Sequence, residues 1–422
     1  MPSLDLFLHD SYIGIVGANS RDRTQVSLEV DGDYQPAVLL SESFAAISGR
    51  APAMAAVSNF LGGYVPEGYH RERMAAKRGI DKNDLFALLN EFGGSIAGAV
   101  TLRHPDESPG YVPSYEPLDD QLLAAKLRQA LKDSDQGIPN DSRSTLPGYQ
   151  PKVLVARIDG QWVYPHGRAH STYILKPQIP SRSSRIFDEY YSHLLTRRIG
   201  LSGYSSQILD ADGVLYLAIE RFDRRVEGGE IRLVHQEDLA QAMGLDWRDA
   251  DVKFQDPYEP NNPARATMRK IAACLGLIQD GGVGVEQWIR QVTYNMAIGN
   301  NDAHAKNTAL MHLETGTRLS PIYDAVPNLF QDELINWDLA LAVDGLFDHR
   351  RISVERLLAE IRAWRIVPER RAIDAITETL TELDLAVSDI KPPIGVSEGL
   401  VDQVQWNVRQ LLAGTEIGQR KH

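Results

Sequence analysis

The sequence predicts an α+β chain in three consecutive parts: an N-terminal α/β subdomain, a small β-rich lobe and a large α-helical lobe. Three observations carry this expectation. Residues 152–220 contain short β-type runs that turn twice on Asp-Gly pairs. From about residue 235 onward the apolar spacing becomes helical. Two Pro-rich, aperiodic stretches mark joins.

The 422 residues leave room for about three domains of roughly 150 residues each. With 43% apolar and 24% charged residues the composition is that of an ordinary globular protein. Lys and Arg number 44 against 57 Asp and Glu, a net charge of −13 that repels phosphate backbones and argues against strong unaided nucleic-acid binding. The best local basic candidate, "HRERMAAKR" (70–78), reads as a solvated helix face. The single cysteine, Cys274, permits no intrachain disulfide and fits a reducing compartment. It stands at helical spacing with Ile271 and Leu275, as a buried structural thiol would. The start, "MPSLDLFLHD", lacks a basic n-region, and no apolar run approaches the ~18 residues of a membrane span. A soluble, cytoplasmic protein is expected.

Taken in order, "RHPDESPGYVPSYEPLDD" (103–120) reads as a connector and "DSDQGIPNDSRSTLPGYQ" (133–150) as loop. "KVLVARIDGQWVYP" reads as a hairpin turning at Asp159 and Gly160, the strongest short hairpin signal. "YPHGRAHS" offers His166 and His170 but no third ligand at suitable spacing, so it reads as a surface turn. "STYILKP" (171–177) is a third strand. "IFDEYYSHLLTRRIGL" (186–201) switches to a helix with Ile186, Tyr190, Leu194 and Leu195 on its apolar face. "SQILDADGVLYLAIERFDRR" (206–225) is a second Asp-Gly hairpin, whose Asp223 and Arg224 could form an ion pair or touch substrate. "DGGVGVE" (280–286) reads as a turn between helices, because no strand precedes it and no P-loop motif follows. "EQWIRQVTYNMAIG" (286–299) places Trp288, Ile289, Val292 and Met296 on one stripe and stops at Gly299. Two further amphipathic helices span 353–364, with Ser353 as N-cap, and 368–383, with Pro368 in the first turn.

The chemistry concentrates in "GNNDAHAKN" (299–307), a loop too polar to serve a core. The following "TALMHLETGTRLSPIYDA" reads as strand, turn and a second strand ending at Asp324. Phosphoryl transfer asks for these parts. Its loose transition state leaves the protein to position groups and neutralise charge. A carboxylate orients the attacking hydroxyl, and hard oxygen ligands hold Mg²⁺ against the phosphates. In protein kinases the catalytic-loop Asp precedes the metal-binding Asn by five positions. Asp302 and Asn307 repeat that spacing, and Asp324 adds one more carboxylate, the Asp that shares the metal with Asn307. Lys176 in "STYILKP" is placed to pair the phosphates, and Glu189 on the next helix to orient that lysine. His304 beside Asp302 shapes the loop by hydrogen bonding, and Lys306 serves either the γ-phosphate or the loop itself.

These residues resemble the HipA family of serine/threonine kinases, the toxins of HipBA toxin–antitoxin pairs, over nearly the whole chain. The resemblance implies a bilobal protein-kinase-like core: a HipA-like N-terminal subdomain (1–110), a small lobe with Gly-rich loop and ATP lysine (120–225) and a helical large lobe (226–422). "NNDAHAKN" looks like the family's catalytic loop and "LSPIYDA" like its metal-binding segment, with Tyr323 near the nucleotide. "IERFDR" resembles the hinge, where the main chain of Glu220 and Phe222 would meet the adenine. "VHQEDLAQAMG" resembles the helix whose Gln241 faces the nucleotide. "GGYVPEGYHRERMAAKRGI" and "LLNEFGGSIAGAVTL" resemble the N-terminal subdomain. "TLPGYQPK" matches the Gly-rich loop through Gly148, Gln150 and Lys152; the autophosphorylated Ser of the family is Thr145 here, with Ser144 and Ser142 close by, and Pro151 stiffens the loop. The implied cofactors are ATP and Mg²⁺, with His304 and Lys306 among the nucleotide contacts. The implied partners are a protein substrate, an aminoacyl-tRNA synthetase such as glutamyl-tRNA synthetase, and a HipB-like helix-turn-helix antitoxin through which operator DNA is reached. Arrest of growth and persistence would follow. A HipA-like kinase with another substrate and no toxin role, or a catalytically silent co-repressor, are the alternative readings.

Overall fold

The computed structural model describes residues 2–105, 113–132, 146, 150–278, 281–331 and 336–420. They form two compact units: one from Met1–Pro177, Leu209–Ala250 and Met311–Thr317, the other from Gln178–Ile208, Asp251–Leu310 and Arg318–His422.

The first unit carries the two largest sheets among the described residues. Strands Ser3–Leu8, Ser11–Ala18, Val26–Val30 and Val100–Arg103 make an antiparallel sheet in the order third, second, first, fourth. Alternation along the first strand buries Leu4, Leu6 and Leu8 in a core completed by Phe60, Leu61, Leu88, Leu89 and Phe92 of helices Met54–Gly62 and Leu85–Phe92. The basic run at 70–78 departs from a solvated face. Arg71 is only 6% exposed, donates to the carbonyls of Trp247 (3.2 Å) and Arg248 (2.9 Å), and stacks over the Trp247 ring. Its guanidinium satisfies two carbonyls while its flat face covers an indole, so the charge is spent inside the fold.

The second sheet runs Ser114–Pro117, Gln161–His166, Val153–Ile158, Tyr173–Pro177, Val214–Glu220, Ser206–Ala211. Both expected Asp-Gly turns form: Asp159 and Gly160, like Asp212 and Gly213, have positive φ, the type I′ geometry that suits strand twist. The stretch at 103–120 is more than a connector, since Ser114–Pro117 pairs with Gln161–His166 as an edge strand, a position that tolerates its terminal proline. Helix Asp120–Lys132 packs Leu123, Ala124, Leu127 and Ala130 onto the face formed by Val153, Val155, Leu175, Tyr216 and Ala218. His170 sits deeper than a surface turn requires: its Nδ1 lies 3.1 Å from Ser95 Oγ, and burial, with the Arg224 and Arg221 charges, pulls its pKa down to about 3. The loop at 133–150 lies outside the described residues except at 146 and 150.

The second unit is mainly helical: Arg185–Arg198, Met268–Leu277, Gly281–Ile298, Val354–Trp364, Glu369–Asp389 and Leu400–Leu412. Ser353 caps its helix as expected, accepting from Arg356 N, whereas Pro368 is the N-cap and not inside the first turn. "DGGVGVE" is not a turn; the helix begins at Gly281, and the packing of Val285, Trp288 and Ile289 outweighs about 1 kcal/mol lost per glycine. Cys274 is half-buried. Helix Arg185–Arg198 belongs to this unit and buries a different face from the one its apolar spacing suggests. Asp188, Glu189, Ser192 and His193 are inside with Ile186 and Leu195, while Tyr190 and Leu194 are only half-buried. The strand expected to end at Asp324 ends at Leu319.

Candidate active site

The helix Gly281–Ile298 ends at Gly299, whose φ of 72° suits glycine and whose added Cβ would lie 2.5 Å from the Phe330 ring. Asn300, 2% exposed, then organises the polar loop. Its amide nitrogen donates to Asn295 Oδ1 (2.9 Å), and its oxygen accepts from Asp302 N (3.1 Å) and Asn328 Nδ2 (3.3 Å). Asn301 donates to Asn336 O, and its own carbonyl accepts from Ala340 N. Ala305 N donates to Lys253 O, and a 3₁₀ turn at Ala305–Asn307 closes the loop.

Asn307 Nδ2 donates to Asp302 O at 2.9 Å. Because that partner is a carbonyl, the atom facing it must be the nitrogen, and Oδ1 is left as a hard oxygen donor. One short turn therefore presents an exposed carboxylate, Asp302, and an amide oxygen, Asn307. His304 is buried with its ring edge-on to Phe254. Its Nε2 lies 3.9 Å from Asp302 Oδ1, beyond direct hydrogen-bonding distance. Tyr323 OH donates to Lys306 O (2.8 Å), joining the loop to the segment that carries Asp324. Asp324 is exposed and has a φ of 52°. Tyr204 OH donates to Ile322 O (2.8 Å) and Ser192 Oγ to Ala325 O (2.5 Å). Burial, reinforced by the Glu189 and Asp324 carboxylates, pushes the Tyr204 pKa well above its ordinary value and keeps the phenol a donor. Glu189 is 2% exposed on helix Arg185–Arg198.

In the first unit, Lys176 is 7% exposed on strand Tyr173–Pro177 and Lys152 is 6% exposed just before strand Val153–Ile158. The register pairs Val153 with Leu175, so one more step sets Lys152 opposite Lys176. Both lie on the face away from helix Asp120–Lys132, because Val153 and Leu175 point toward that helix. Buried lysines are rare. Gln150 is half-buried. Glu220 ends strand Val214–Glu220 opposite Tyr173, and Phe222 follows. Around them, Asp223 is a buried structural ion partner: it accepts from Arg221 (2.9 and 2.8 Å), Arg224 (2.9 Å), Gly98 N (2.8 Å) and Gln236 (3.0 Å). The substrate contact considered for Asp223 and Arg224 gives way to this network.

Gln241, expected to face a nucleotide, makes two structural hydrogen bonds. Its Oε1 accepts from Asp238 N in a capping box and its Nε2 donates to Phe60 O at 2.7 Å, so the fold itself holds the side-chain amide in place. Gly148, Thr145, Ser144 and Ser142 lie outside the described residues.

Sequence spacing missed Asn300, Ser192 and Tyr204. The signal for Asn300 was present in the doubled Asn, since an Asn directly after a helix-ending Gly is placed to hydrogen-bond the neighbouring backbone. Nothing local marked the other two.

The fold is that of the protein-kinase-like class, mixed helix and sheet. The chain belongs to the HipA family: residues 144–386 match the HipA-like C-terminal domain and residues 4–103 the HipA N-terminal domain. A candidate kinase of Sinorhizobium fredii, Y4mE, is 28% identical over 337 residues, 76% of either chain. The serine/threonine-protein kinase toxin HipA of Shewanella oneidensis is 23% identical over 364 residues, 81% of this chain and 79% of that one. The solved complex of Shewanella oneidensis HipA with HipB and operator DNA contains a chain that superposes with a TM-score of 0.79, at 21% identity, over 97% of this chain and 96% of its own.

Proposed function

We propose that this chain is an ATP-dependent serine/threonine protein kinase of the HipA toxin type. The observation that carries the reading is the loop Asp302–Asn307, where a hydrogen bond from Asn307 Nδ2 to Asp302 O fixes a carboxylate and an amide oxygen in one turn. Asn307 and Asp324 fit Mg²⁺, which takes one or two protein oxygens and completes its shell with phosphates and water. Bound there, Mg·ATP supplies the transferable γ-phosphoryl group and neutralises its charge. Lys152 and Lys176 hold phosphate oxygens, and the main chain of Glu220 and Phe222 meets the adenine. Gln150 and, outside the described residues, Gly148 belong to the loop over the phosphates. Asp302 orients the substrate Ser or Thr hydroxyl and accepts its proton as the oxygen bonds to phosphorus and ADP leaves.

Family kinship supports the rest: a cytoplasmic protein substrate, with an aminoacyl-tRNA synthetase such as glutamyl-tRNA synthetase as first choice, growth arrest, and a HipB-like antitoxin that brings the acidic chain to operator DNA. No described helix is long and apolar enough to cross a membrane. Asp302→Asn tests the reading: γ-phosphate transfer should be lost while the melting temperature is kept, and full activity in the variant would refute it.

A further inference from the structure

We propose that Ser192 and Tyr204 are positioning residues that clamp the backbone on both sides of Asp324; this rests on the reading of Asp324 as a metal ligand. Asp324 carries an exposed carboxylate on a left-handed residue, φ 52°, a conformation uncommon for a non-glycine residue, though least so for Asp and Asn. The determinants are two carbonyls. Before Asp324, Ile322 O accepts from Tyr204 OH at 2.8 Å, while Ile322 N donates to Leu201 O at 3.0 Å. After it, Ala325 O accepts from Ser192 Oγ at 2.5 Å.

Both hydroxyls are themselves fixed. Tyr294 OH donates to Ser192 O at 2.9 Å, tying the donor's own backbone to the helix Gly281–Ile298. With its proton directed to Ile322, the Tyr204 oxygen accepts from His193 Nε2 at 2.5 Å. That choice makes His193 the Nε2–H tautomer, with Nδ1 accepting from Ser206 Oγ at 2.8 Å. Ser192, His193, Tyr204 and Ser206 are all under 10% exposed, so water does not replace a lost partner. Without either hydroxyl, residues 322–325 can relax toward an ordinary φ, and the carboxylate turns away from the position shared with Asn307.

The test uses the full chain, with Tyr204→Phe and Ser192→Ala as separate variants. Mn²⁺ binding is followed by electron paramagnetic resonance in the presence of a non-hydrolysable ATP analogue, alongside analogue binding without metal and thermal melting. The expected result is a Mn²⁺ dissociation constant raised about tenfold, the scale of one lost buried hydrogen bond, at unchanged metal-free analogue affinity. Unchanged Mn²⁺ affinity in a folded variant, even one with a lowered melting temperature, overturns the clamp and leaves a merely structural role. Each variant decides alone if the other does not fold. Asp324→Asn separates the two failures: if it binds Mn²⁺ like the wild type, the metal-ligand reading has failed; if it loses Mn²⁺ while Tyr204→Phe and Ser192→Ala do not, only the clamp has.

Discussion

Asp223→Ala should destabilise the first unit severely, because it strands two buried guanidinium groups. The Asp223 and Arg221 side chains are 3% and 2% exposed and that of Arg224 is 1% exposed. Removing one partner of a buried ion network costs about 3–5 kcal/mol, against about 0–1 kcal/mol for an exposed pair. Here two cations share one carboxylate, which also accepts from Gly98 N and Gln236, so the upper part of that range is expected. Urea unfolding followed by tryptophan fluorescence reads the loss, since Trp162 and Trp247 both lie in this unit. Hydrogen exchange at Gly98 N should accelerate in parallel. The pH dependence adds an independent check. Burial pushes the Asp223 carboxyl up, but the Arg221 and Arg224 charges outweigh it and hold it well below its ordinary value of 3.8. A depressed folded-state pKa gives stability that is present above the unfolded value and lost as pH falls below it. The wild type should therefore lose part of its advantage over Asp223→Ala below about pH 4. A loss under about 1 kcal/mol at neutral pH, or a difference independent of pH, would refute the reasoning.

Two further outcomes follow from the kinase reading and the charge balance. After incubation with Mg·ATP, mass spectrometry should find phosphate between Ser142 and Thr145, about two added negative charges that would repel nucleotide from the Gly-rich loop; an unmodified loop in an active enzyme rejects this autoregulation. The isolated chain, at net −13, should bind operator DNA negligibly at physiological salt, and tight binding without an antitoxin would contradict that.

The parts legible in the sequence are those set by local rules. The Asp-Gly hairpins at 159–160 and 212–213 are dictated by φ alone, and Gly299 by φ and close packing. The pairing of Asp302 with Asn307 was legible because both belong to one turn, so chain spacing nearly equals geometry. Where tertiary contacts decide, spacing fails. Helix Arg185–Arg198 buries Asp188 because Ser397 and Gln331 satisfy its carboxylate, partners far along the chain. Gln241 donates to Phe60 O, a partner 181 residues away that no local pattern marks. Ser114–Pro117 was hidden in a Pro-rich run because an edge strand needs only one partner and little apolar alternation. The hydroxyls beside Asp324 come from 118 and 133 residues earlier, beyond any motif.

The most direct test of the account is phospho-amino-acid analysis after γ-labelled ATP, Mg²⁺ and the purified chain are combined with a cytoplasmic extract lacking its own kinases. The account predicts label on protein serine or threonine, with ADP released in equal amount. Release of free phosphate without protein label, or no ATP consumption under conditions where the chain is folded, would contradict it.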